Sequence, residues 1–201
     1  MTATAQDLAR ALERLRSFHH GDLGVVETIA CGESAIPALR ALLFEREPSS
    51  LFETRCRAVQ ALATLGTRDV LIEYLAMPHA SADPVEQLGD DAVLNATARA
   101  VVKYRDEQVF QLLQHLAGRR LLPGVVGALG SFKRPEAIPY LIDALAEDES
   151  RPIAEAELKK FGHRAYRALT KVASARENSP DSPSRARQRA SALGLLAAMG
   201  K

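Results

Sequence analysis

The stretch Arg55-Cys56-Arg57-Ala58-Val59-Gln60-Ala61-Leu62-Ala63-Thr64-Leu65-Gly66 decides the fold. It opens on Arg, sets a small residue at its fourth place and apolar residues at its eighth and eleventh, and closes on Gly. Steps of four and three put places 4, 8 and 11 on one face of a helix. The closing Gly suits the left-handed residue that ends many helices. The same phrase returns at 119–130, 151–162 and 189–200, and more loosely at 21–32 and 94–105. The copy at 94–105 departs most, having Leu94 first and Arg105 last.

A helix with one apolar stripe needs a partner, and a second amphipathic stretch precedes each copy. Leu8, Leu12, Leu15 and Phe18 mark the first of these at 5–18, and Ile36, Leu39, Leu42 and Leu43 the second at 34–44. Ser34 is placed to cap that helix, with Pro37 in its first turn, where a missing N–H costs nothing. Further partners are expected at 67–77, 106–117, 135–147 and 163–173, the last using Tyr166, Leu169 and Val172. The expectation is an all-α solenoid of about twelve helices in six pairs, at 5–32, 34–66, 67–105, 106–130, 135–162 and 163–200. Such pairs cannot bury their apolar faces alone, so they stack, and one repeat domain over 1–201 follows. Two polar stretches, 78–89 and 174–184, read as loops inside the third and sixth pairs.

Composition agrees. Apolar residues make up 47% and aromatics only 5%, with no Trp, a balance that favours close-packed helices over strands. The polar start Met1-Thr-Ala-Thr-Ala-Gln-Asp7 reads as no secretory signal, and no run approaches the ~18 apolar residues of a membrane span. Cys31 and Cys56 lack metal-ligand spacing, Cys31 stands where other copies carry Leu, Phe or Met and reads as a packed thiol, and the expected location is the cytoplasm.

The phrase resembles the second helix of HEAT repeats, particularly the short bacterial form first described in phycobilisome-lyase subunits. Arg55, Ala58, Ala61-Leu62 and Leu65-Gly66 match that form in place, as do Ala128-Leu129-Gly130. Ala35-Ile-Pro-Ala-Leu39 and Ala137-Ile-Pro-Tyr-Leu141 match its first helix. The resemblance covers essentially the whole chain and implies a solenoid whose second helices line the concave side. It implies no chemistry, because this fold hosts many unrelated roles. HEAT-repeat hydroxylases hold iron through His-Glu pairs, but none of His19, His20, His79, His115 and His163 is followed by Glu. The aromatics that HEAT-like DNA glycosylases set against a lesion are sparse, and no motif for holding a tetrapyrrole accompanies the repeats. No glycine-rich phosphate loop, catalytic constellation, metal set or cofactor is expected, and the chain reads as a non-enzyme.

Charge placement gives the functional expectation. The six twelve-residue copies together carry +7 while the whole chain carries +1, which leaves −6 elsewhere. On the HEAT resemblance, the concave face is therefore basic. Places 2, 3, 6 and 10 point away from the core and hold Arg57, Gln60, Arg99, Lys103, Arg120 and Lys160, the expected binding residues. The place-1 arginines Arg55, Arg119, Arg151 and Arg189 are expected to hold repeats together. A basic groove of this kind favours a protein partner with an acidic surface or segment, with no membrane involved. Two alternatives stand beside it: nucleic-acid backbone binding by the same groove, and a bilin-lyase-like or other modifying-enzyme subunit.

Overall fold

The computed structural model describes residues 4–45, 52–175 and 182–200. Among them are twelve α-helices and three short 3-10 turns, with no strand. The chain divides into two compact units, Met1–Tyr104 and Arg105–Lys201. The division falls at the end of the copy that departs most from the repeated phrase.

Unit 1 contains α1 (Ala5–Arg16), α2 (Gly21–Ala30), α3 (Ile36–Phe44), α4 (Phe52–Thr64), α5 (Arg68–Ala76) and α6 (Pro84–Val101). Its second helices pack in series, α2 on α4 and α4 on α6, while α3 meets α5 in the first-helix layer. Unit 2 contains α7 (Glu107–Ala117), α8 (Pro123–Ser131), α9 (Ile138–Ala144), α10 (Arg151–Phe161), α11 (His163–Ala173) and α12 (Pro183–Met199). The same arrangement recurs there, with α8 on α10, α10 on α12, and α9 on α11. Within each unit this is the stacked helix-pair architecture of an α-solenoid.

The apolar places of the phrase build the core. Ala58, Leu62, Ala154, Leu158, Val126 and Leu129 are all buried. Where a copy carries Thr at such a place, the hydroxyl turns back on its own helix. Thr28 donates to the Gly24 carbonyl at 2.6 Å and Thr97 to the Val93 carbonyl at 2.8 Å, so neither buries an unsatisfied group. Place 12 is left-handed where the chain leaves the helix: Gly66 has φ +80° and Gly162 φ +56°. Arg105 takes the same conformation at φ +47°. In the fourth copy the left-handed residue is Lys133, because α8 runs on past Gly130. Gly130 serves a different purpose there, since a Cβ would lie 2.5 Å from Glu157 Cγ on α10.

Four details differ from the sequence expectations. The expected loop at 78–89 is helical from Pro84, because Asp83 accepts from the Val85 N–H and caps an 18-residue α6. Ser34 does not cap α3; it sits in a 3-10 turn and donates to the Cys31 carbonyl. Phe18, expected in the core, follows the end of α1 and is 79% exposed, and Tyr166 is 48% exposed. The expected loop over 174–184 lies mostly outside the described residues.

Gly24 and Gly194 test this packing in opposite directions. A Cβ on Gly24 would lie 2.2 Å from the Leu15 backbone nitrogen, whereas one on Gly194 meets nothing within 4 Å. Urea unfolding should show Gly24→Ala destabilising by about 1–3 kcal/mol and Gly194→Ala stabilising by about 0.5–1 kcal/mol. Equal effects would contradict the close α1–α2 approach.

Candidate functional site

Arg55 is anchored on three sides. Its Nη1 donates to Asp90 Oδ1 at 2.8 Å, its Nη2 to the Tyr74 hydroxyl at 2.8 Å, and its Nε to the Leu43 carbonyl at 3.2 Å. The other place-1 arginines differ. Arg151 pairs with Asp148 three residues before it, Arg119 is exposed in the stretch before α8, and Arg189 is half-buried on α12.

Beside Arg55, α4 and α6 form an open groove of ≈ 480 Å³. Val59, Ala63, Ala96 and Ala100 give it an apolar floor, and Arg57, Gln60, Thr64, Cys56 and Arg99 complete the lining. Three expected binding residues thus meet here. They are not equivalent. Arg57 Nη1 donates to the Leu15 carbonyl at 3.1 Å and the Ser17 carbonyl at 2.9 Å, closing the C-terminal end of α1. Its guanidinium occupies the space that a Cβ on Gly21 would fill. Gln60 and Arg99 are exposed, on α4 and α6 respectively. Lys103 is exposed too, but its ammonium donates to the Ala63 carbonyl near the end of α4 and lies 5.0 Å from the Tyr104 ring centre. Burial pushes the Cys56 thiol above its usual range, with Glu53 adding to the effect, so this groove residue is a poor nucleophile.

The remaining expected residues lie in unit 2 and do not share one groove. Arg120 lines an open groove of ≈ 620 Å³ with Arg119, Tyr140, Asp143, Glu147, Asp148 and Glu149. Carboxylates outnumber cations there, and desolvation raises the Asp143 carboxyl. Lys160 is on α10 and pairs with Glu157 at 2.6 Å. Among the described residues, no group of three or more His, Cys, Asp and Glu side chains is placed to hold a metal ion, and no helix is long and apolar enough to cross a membrane.

A family model described as PBS lyase HEAT-like repeat matches residues 124–147. This segment is similar to a HEAT-like repeat. It spans α8 and α9, which pack against each other, and Val126, Leu129, Leu141 and Ile142 are among its buried residues. No curated protein matches the chain.

Sequence reading missed the floor of the groove. Ala63, Ala96 and Ala100 carry no functional signal, and their exposure depends on how far apart α4 and α6 stand. The two arginines separate experimentally. Arg57→Ala, which strands two helix-end carbonyls, should cost about 1–3 kcal/mol in urea unfolding, while Arg99→Ala should stay within about 0.5 kcal/mol. A neutral Arg57→Ala would return that side chain to the set of surface cations.

Proposed function

We propose that the protein is a non-catalytic helical-repeat scaffold that binds a partner protein in the α4–α6 groove. The observation that carries this reading is an apolar floor beside Arg99, a groove cation with no partner among the described residues. Val59, Ala63, Ala96 and Ala100 accept an apolar side chain, and exposed Arg99 is free to pair with a carboxylate beside it. A short amphipathic segment bearing an acidic residue supplies both. The apolar contact provides affinity, and the charge provides orientation and on-rate.

A phosphate backbone is a poorer occupant of this groove. Nucleic-acid affinity rises with the number of phosphates neutralised. Here, among the described residues, Arg57 is engaged with α1 and Lys103 with α4, which leaves Arg99 at the groove. The lyase in the name of the matching repeat carries little weight for chemistry, because the buried part of that segment is helix packing. The two free thiols, both pushed up by burial, suit a reducing compartment such as the cytoplasm.

Affinity purification from the native host with the intact chain, Arg99→Glu and Ala100→Glu tests the reading. Partners captured by the intact chain should be lost by at least about tenfold with either variant, circular dichroism being unchanged. A bound partner should also slow alkylation of Cys56. Equal recovery with all three proteins would remove the groove from consideration.

A further inference from the structure

The charge of unit 2 is strongly segregated. The described residues of 163–175 and 182–200 include Arg164, Arg167, Lys171, Arg185, Arg187 and Arg189, and no Asp or Glu. They form α11 and α12, which pack against each other. With Arg176, Glu177 and Asp181 of the intervening stretch counted, 163–200 carries seven cations against two carboxylates in a chain whose net charge is +1.

Part of this charge is used internally. Arg187 pairs with Asp148 at 3.2 Å, and Arg189 is half-buried on α12. The exposed face of α11 is different in kind. Its residues His163, Arg164, Tyr166, Arg167, Thr170 and Lys171 are all exposed and, at 100° per residue, share one broad arc of the helix. Arg164, Arg167 and Lys171 follow an i, i+3, i+7 stripe along one side of that arc, with the outer two about 10 Å apart along the axis. Arg164 is steadied by donating to the Lys133 carbonyl at 3.2 Å and lies 5.4 Å from the Phe161 ring centre. Arg185 adds an exposed cation on the neighbouring helix.

We infer that the α11 face is a docking surface for the phosphate backbone of duplex DNA. The charge argues for a polyanion. The remaining character of the face distinguishes DNA from an acidic protein. It bears only cations, an imidazole, a phenol and a hydroxyl, with Leu169 and Ala165 turned into the core. A protein partner needs somewhere to bury apolar side chains, as the α4–α6 groove provides, whereas a backbone contact needs only cations and hydrogen-bond donors. A convex helical face also suits the B-form major groove, which is wide enough to admit a helix. The surface belongs to unit 2 and the α4–α6 groove to unit 1, and they share no residue, so this inference stands or falls independently of the proposed scaffold role.

Fluorescence anisotropy of a labelled duplex of about 20 base pairs tests it with the full chain. Binding at ~50 mM salt should weaken as salt rises, with a log–log slope of about −3 for three to four phosphates contacted. Arg167→Glu combined with Lys171→Glu should lower affinity more than tenfold and flatten that slope by about 2, with the helical content unchanged. Arg99→Glu should leave binding as it was. No binding at ~50 mM salt, or equal binding by the double variant, overturns the inference. So does preferential binding of polyglutamate over the duplex at matched charge, which would make this a surface for acidic polypeptides.

Discussion

The geometry of unit 1 depends on one buried guanidinium. Arg55 projects from α4 and reaches the end of α3 through Leu43, α5 through Tyr74, and α6 through Asp90. One side chain therefore ties its own first helix and both helices of the next pair. Asp90 is 1% exposed and Arg55 11% at their side chains. Charges taken so far out of water are tolerated only when paired and hydrogen-bonded. The pairing sets how closely α4 and α6 approach, and with it the width of the groove beside them.

The fold was legible because its determinants are local and repeated. Places 4 and 8 of the phrase are buried in nearly every copy, and the Ala-Ile-Pro segments enter α3 and α9 as the pattern requires. The misreadings occurred where a cap or a chain end decides the outcome. Asp83 starts α6 within a stretch whose Pro, Ala and Asp residues resemble loop composition. Phe18 continues the apolar spacing of α1, but the helix has already ended at Arg16. Arg105 and Lys133 occupy left-handed positions that composition reserves for Gly.

The functional surface was less legible, because a cation's role is set by what lies within reach of it. Arg57, Lys103 and Lys160 look alike in the phrase, yet each is engaged within its own unit: by α1 carbonyls, by an α4 carbonyl and by Glu157. Arg99 has the same spacing and remains on the groove's rim. The basic face of α11 was present in the sequence all along. It lies outside the twelve-residue phrase, so charge counted within the phrase passes over it.

The account's central claim is that Arg55 holds the helix pairs of unit 1 together while function lies on exposed positions elsewhere. A double-mutant cycle in urea tests it most directly, with Arg55→Met, Asp90→Leu and the pair together. Each single variant should cost about 3 kcal/mol by stranding a buried charge, and the double should recover at least about 1 kcal/mol of their sum. Single variants within about 0.5 kcal/mol of the intact chain, adding without coupling, would contradict the account and make Arg55–Asp90 an ordinary surface pair.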